Sequence, residues 1–216
     1  MPLLDTILDI FFPTNCLNCG KAGQDLCTEC LLSSPEAERE SAEWIYPIFD
    51  YRHPAIKNAV WLLKYKGKKR LAKVFAEAIY GRILEELSDL AIMENFREII
   101  LVPIPLYRKR KWKRGFNQAE LICRELVKLD ANTTFTLENK ILVRITDGKH
   151  QAHIGSRGER LKNIVGSFAV KHAEKIKNRN IILIDDVTTT GATLSEAKKV
   201  LKQAGARKVI AFTVAH

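Results

Sequence analysis

Short, apolar runs recur along the chain: IILV at 99–102, IILI at 181–184 and VIAFTV, broken only by Thr213, at 209–214. Runs of this length, rich in Ile and Val, suit parallel strands covered on both faces. Trp44–Tyr51, WIYPIFDY, has the aromatic and β-branched content of a strand, with Pro47 marking an edge or a bulge. Ile56, Val60 and Leu63, then Leu71, Val74, Phe75, Ala78 and Ile79, predict two amphipathic helices divided at Lys66-Gly67. Further helical patterns cover 116–128 and 193–204, the latter stopped by Gly205. Within 138–170, ILVRI reads as a strand, SRGERLKNI as a short helix and SFAV as another strand. Strand, helix and strand from 181 to 214 complete one βαβ unit. The expected class is α/β, a parallel sheet flanked by helices.

The first thirteen residues, MPLLDTILDIFFP, are apolar but carry Asp5 and Asp9 and lack a basic start, which argues against a secretory signal. Leu4, Ile7, Leu8, Phe11 and Phe12 fall at helical spacing, so a short amphipathic helix docking on the body is expected. The expected compartment is then the cytoplasm, where the five cysteines stay reduced and serve metal binding or packing. At 216 residues, 46% hydrophobic and 28% charged, the chain is globular, and no apolar run reaches the roughly 18 residues of a membrane span.

Charge divides the chain. Residues 1–63 hold 4 basic and 9 acidic residues, a net of −5, whereas 64–216 hold 31 and 16, a net of +15. The larger part is built to meet anions. One basic cluster is Lys64, Lys66, Lys68, Lys69, Arg70 and Lys73, which reads equally as a solvated surface. The other, Arg108, Lys109, Arg110, Lys111, Lys113 and Arg114, interleaves with Tyr107, Trp112 and Phe116, as a phosphate site or a single-stranded nucleic-acid surface does.

Cys16 and Cys19, then Cys27 and Cys30, form C-x2-C-x7-C-x2-C. Four soft sulfurs with no open position fit a structural, tetrahedral Zn2+ site, with an iron–sulfur centre or reduced thiols as the alternatives. The spacing makes a compact N-terminal knuckle, and the acidic, proline-bearing stretch 33–43 links it to the rest. The domains are therefore expected at 1–43 and 44–216. Cys123, among Phe116, Ala119, Ile122, Leu126 and Val127, is expected in the core.

The most specific stretch is ILIDDVTTTGAT, from Ile182 to Thr193. A buried strand ends in Asp185 and Asp186, turns through hydroxyls and Gly191, and opens a helix at the carboxyl edge of the sheet, where open α/β folds bind ligands. Helix-start N–H groups with Thr189, Thr190 and Thr193 favour an anion. Neighbouring carboxylates in a strand point to opposite faces, so the chain is expected to turn at Asp185-Asp186 for both to meet a ligand, through sugar hydroxyls or Mg2+. The plainer alternative is helix capping by Thr190 or Asp186.

This stretch resembles the phosphoribosyl pyrophosphate (PRPP) signature of type I phosphoribosyltransferases, and the chain as a whole is similar to the ComF family of competence-associated proteins. The resemblance extends to the four-cysteine knuckle, to Val102-Pro103-Ile104-Pro105, and to a basic run ending in Arg114-Gly115-Phe116-Asn117-Gln118. It implies a type I phosphoribosyltransferase-like fold. It implies that Asp185 and Asp186 bind ribose hydroxyls or Mg2+ and that Thr189–Thr193 hold the 5-phosphate, within a PRPP loop of Asp185, Asp186, Val187, Thr188, Thr189, Thr190, Gly191, Ala192 and Thr193. Pro103 would also touch PRPP, and Arg110 and Arg114 would reach the pyrophosphate. Residues 147–163, with Gln151, Arg160 and Asn163, would form a flexible hood. If catalysis occurs it is phosphoribosyl transfer, with Asp185, Asp186 and Arg114 as the catalytic residues. His150 and His153 lie in the hood and would more often be solvated than catalytic.

The resemblance also implies a role in natural transformation, with PRPP and single-stranded DNA as ligands, DNA-uptake helicase or channel components as partners, and a place at the inner face of the membrane. A phosphoribosyltransferase of nucleotide salvage without a DNA role is the alternative. No segment reads as a purine or pyrimidine pocket.

Overall fold

The computed structural model describes residues 14–38, 42–94, 96, 98–131, 134–145 and 164–216. The proposed N-terminal helix and the hood lie outside the described residues. Helix α1 (Thr28–Leu32) belongs to the cysteine knuckle. Then follow β1 (Ile45–Phe49), α2 (Pro54–Tyr65), α3 (Leu71–Glu94), β2 (Ile99–Pro103), α4 (Arg108–Arg114), α5 (Gln118–Leu129) and β3 (Phe135–Leu137). The chain continues through β4 (Leu142–Arg144), β5 (Phe168–Val170), β6 (Asn180–Val187), α6 (Ala192–Gln203) and β7 (Lys208–Ala215).

Five strands form a parallel sheet in the order β1-β7-β6-β2-β3, and β4 pairs with β5 as a separate antiparallel ribbon. The apolar runs are the inner strands, because helices cover both faces. Ile182 and Ile184 of β6 and Ile210, Phe212 and Val214 of β7 face one core, shared with Ile56, Leu63, Phe75 and Ile122 of α2, α3 and α5. Ile181, Leu183, Val209 and Ala211 face the other, with Leu194, Ala197 and Leu201 of α6 and Leu142 and Phe168 of the ribbon. Alternation within one apolar strand thus feeds two cores. Pro47 sits on β1 at the sheet edge, where a missing N–H is tolerated.

Leu26, Cys27 and Leu31 of the knuckle join the same cluster as Leu63 and Leu71, and Asp25 meets Lys68 at 3.2 Å. The knuckle is seated on the α2–α3 corner.

Two elements depart from the sequence reading. The basic run 108–114, to which the sequence pattern assigns no element, is a seven-residue helix ended by Gly115 at φ 77°. β3 was hidden because only Phe135 of its three residues is buried. Ile182 is fully buried at the centre of the sheet. Ile182→Ala should lower stability by about 2–5 kcal/mol, read from the urea midpoint; a loss below about 1 kcal/mol would contradict the described packing.

Candidate functional site

Strands β2 and β6 are neighbours in parallel register, Val102 opposite Leu183 and Pro103 opposite Ile184. Their carboxyl ends therefore release two loops at one edge, the basic segment after Pro103 and the hydroxyl loop after Val187. Asn117 fastens the first of these: its Nδ2 donates to the Ile104 carbonyl at 3.0 Å, and its Oδ1 caps α5 by accepting from Ala119 N–H at 3.1 Å.

The basic segment makes one wall of a cavity of about 460 Å3, lined by Arg110, Lys113, Arg114 and Phe116 on that side and by Lys64, Tyr65 and Gly67 on the other. Arg110 and Arg114 stand four residues apart on α4 and share a helix face. The Arg114 guanidinium lies 5.0 Å from the Tyr65 ring centroid, and its Nη2 is 3.4 Å from the Tyr65 hydroxyl. The site presents four cations to one cavity, a setting for an anion with several oxygens.

In the second loop the strand continues through Val187, which pairs with Ala215. The expected turn at Asp185-Asp186 is thus corrected: ladder pairing runs past both residues, so they alternate to opposite faces at the sheet edge. Asp186 is buried and ion-paired, its Oδ1 2.7 Å from Lys64 Nζ. It does not cap a helix. Gly191 occupies the N-cap of α6 at φ 70°, and an added Cβ there would meet Ile45 Cδ1 at 3.1 Å. Thr190 Oγ1 accepts from Ala192 N–H at 3.4 Å, a long bond. Thr188 is buried with its N–H on the Ala215 carbonyl at 3.0 Å, while Thr189 is exposed. Ala192 and Thr193 open α6, whose first-turn N–H groups point out of the helix start.

Burial and the adjacent Asp186 charge push the Asp185 carboxyl up from 3.8 to about 7, against the Asp186 N–H that donates to its Oδ1 at 2.8 Å and the pull of Lys64 and Arg144. Its oxygens fit a hard divalent cation, which would hold it ionised. Lys64 is the residue that sequence reading missed, having been grouped with surface lysines. It joins the two halves of the site, pairing with Asp186 while lining the cavity. The signal was available: Lys64 lies eight residues beyond Ile56 and four beyond Val60, on the buried stripe of α2. Arg144, at the ribbon, was likewise unsuspected. Gln151, Arg160, Asn163, His150 and His153 lie outside the described residues.

The Cys16, Cys19, Cys27 and Cys30 sulfurs all lie within 4.8 Å of one another, and Cys19 Sγ is 3.7 Å from Cys27 Sγ. Tetrahedral zinc with bonds of about 2.3 Å sets sulfurs about 3.8 Å apart, so the cluster could hold zinc. Burial raises the Cys16 thiol, yet the Cys19, Cys27 and Asn18 backbone N–H groups outweigh it and bring it down to about 6. Cys30 accepts from Asn18 Nδ2, but its sulfur neighbours and burial push it up to about 12. One thiolate forms readily and the last needs a cation. Cys123 is fully buried and its thiol is pushed well up by desolvation, consistent with a core role.

Among the described residues no helix is long and apolar enough to cross a membrane. The phosphoribosyl transferase domain family matches residues 113–216. The chain is 34% identical to competence protein ComFC of Streptococcus pneumoniae over 201 residues, covering 93% of this chain and 80% of that one. It is 26% identical to the DNA utilization protein YhgH of Escherichia coli over 199 residues, 91% of this chain and 81% of that one. A hypoxanthine phosphoribosyltransferase from Staphylococcus aureus superposes with a TM-score of 0.39 at 14% identity, over 65% of this chain and 62% of that structure. The chain thus spans less than two thirds of that protein.

Two outcomes follow from this geometry. Cys30→Ser should lose stoichiometric zinc by elemental analysis and melt about 5 °C or more below the parent; an unchanged melt in the metal-free variant would contradict a structural site. Asp185 keeps a proton in the folded state between pH 3.8 and about 7 that the unfolded chain releases. Its stabilisation is complete below that window and is lost as pH rises through it. Asp185→Asn should therefore exceed the parent by on the order of 4 kcal/mol at pH 8, with the gap closing toward pH 4 in urea unfolding. A gap that does not vary with pH would contradict the shift.

Proposed function

This chain belongs to the ComF family of competence-associated proteins, and we propose that it binds PRPP with Mg2+ and serves the uptake of single-stranded DNA. The adjacency of β2 and β6 carries the ligand half of this reading, because it sets a cationic cavity beside two acids and a helix-start loop. The relatives named for competence and DNA utilization support the DNA half. So does the net +15 of residues 64–216, which a small-molecule salvage enzyme with no DNA role does not require.

In this reading Thr189–Thr193 and the first-turn N–H groups of α6 hold the 5-phosphate. The ribose lies across the carboxyl end of β6, so that Asp185 and Asp186 meet its hydroxyls from the two sides of the strand, Pro103 borders the ligand, and Arg110 and Arg114 reach the pyrophosphate. Lys64 releases Asp186 as the ribose arrives and turns to an anionic oxygen in the cavity that it already lines. Mg2+, when bound, neutralises charge on the pyrophosphate oxygens. In phosphoribosyl transfer the acceptor's electron pair forms a bond to the anomeric carbon while the bond to pyrophosphate breaks. The leaving oxygen takes its electron pair toward Arg110 and Arg114, and the acids stabilise the positive charge that builds on the ribose ring. Gln151, Arg160 and Asn163 would close over the ligand from the hood. The knuckle, in this reading, is a zinc-bearing module on residues 1–43 that buttresses the α2–α3 corner. The protein works at the cytoplasmic side of the membrane, among the helicase and channel components of DNA uptake.

Calorimetric titration of the zinc-loaded protein with PRPP and Mg2+ should give saturable binding near one equivalent. Arg114→Ala should weaken it by about tenfold or more, the loss of charged hydrogen bonds to the pyrophosphate. A folded, zinc-loaded protein that does not bind PRPP would contradict the proposal.

A further inference from the structure

Among the described residues the exposed aromatic side chains gather on two helices. Trp61 and Tyr65 of α2 are 44% and 60% exposed, and Trp112 of α4 is 89% exposed. Large rings held in water mark an interaction surface. Helix α4 buries none of its seven residues, so it contributes nothing to either core. These two helices are also the walls of the cationic cavity.

Cations and rings alternate across this surface. Lys66 Nζ lies 5.5 Å from the Trp61 ring, the Arg114 guanidinium 5.0 Å from Tyr65, and Lys69 Nζ 5.4 Å from Phe116. Trp61 and Tyr65 are themselves 6.0 Å apart, a spacing between neighbouring rings. Trp112 is two positions beyond Arg110, so it stands on the side of α4 away from the cavity, about 10 Å from it across the helix. Cationic grooves that track a backbone, with flat rings beside them for unpaired bases, are how single strands are held without regard to sequence. A duplex keeps its bases stacked inside and offers these rings nothing.

We infer that a backbone phosphate of single-stranded DNA enters the cavity between α2 and α4, with neighbouring bases stacked on Tyr65, Trp61 and Trp112, so that the strand and PRPP exclude one another. This rests on the reading of Arg110 and Arg114 as the pyrophosphate clamp. The same guanidinium groups serve both anions, and two polyanions crowded into one cavity repel each other. PRPP then acts as a release signal for the strand, and the strand keeps the ligand site closed.

The test is fluorescence anisotropy of a fluorescein-labelled twenty-nucleotide oligothymidylate on the zinc-loaded full chain, at constant ionic strength with Mg2+. PRPP or inorganic pyrophosphate is the competitor. At ten times the competitor's own dissociation constant, the apparent Kd for the strand should rise about elevenfold, as simple competition requires. Trp112→Ala should weaken strand binding by about fivefold or more, the loss of one stacked base, and leave PRPP affinity unchanged in calorimetry. The single strand should bind more tightly than its duplex. PRPP that binds in calorimetry without weakening the strand would overturn the shared cavity and leave the PRPP reading intact. Pyrophosphate that displaces the strand from a protein that does not bind PRPP would do the reverse. Equal affinity for duplex and single strand, or an unchanged Trp112→Ala variant, would overturn the stacking surface.

Discussion

The parallel pairing of β2 with β6 is the constraint on which the site depends. Val102 opposite Leu183 and Pro103 opposite Ile184 bring two chemically unlike loops to the same edge. One carries guanidinium groups and the other carboxylates, hydroxyls and a helix start. A shift of β2 along β6 would draw the cationic wall away from the acids. The two cores defend that pairing from both sides, since Leu101 and Ile182 face one while Val102 and Leu183 face the other.

Lys64 turns that adjacency into a coupled site. Its ammonium holds Asp186 at 2.7 Å in a partly buried pair, and the same side chain borders the cavity of Arg110 and Arg114. Stripping the partner from a buried charge is costly, so the pair keeps the acid in place until a ligand offers it another partner. The cysteine knuckle acts further back. Leu26, Cys27 and Leu31 pack into the cluster that holds α2 and α3, so zinc at the four sulfurs would steady the helix that carries Lys64 and Tyr65.

Much of this was legible in the chain itself. The inner strands announce themselves as runs apolar on both faces, and α2 and α3 as amphipathic stripes parted where Gly67 adopts φ 67°. The cysteine spacing pointed to one metal cluster, and ILIDDVTTTGAT to a strand, a loop and a helix at the sheet edge. Periodicity could not supply the course of β6 beyond Asp186. Two carboxylates in succession look like the end of a strand, yet ladder bonds to β7 carry it to Val187. α4 was hidden because it has no buried face to produce a stripe. Lys64 was read by its charge when its place on the stripe of α2 was the better guide, and its partner lies 122 positions away, beyond the reach of any local pattern.

In the proposed reading one ligand spans both loops. A crystal structure of the zinc-loaded protein with PRPP and Mg2+ tests it most directly. The 5-phosphate should lie over Thr189–Thr193, the ribose against Asp185 and Asp186, and the pyrophosphate between Arg110 and Arg114, with Lys64 parted from Asp186. PRPP bound elsewhere, or bound with the Lys64–Asp186 pair intact and the cavity of Arg110 and Arg114 empty, would contradict it.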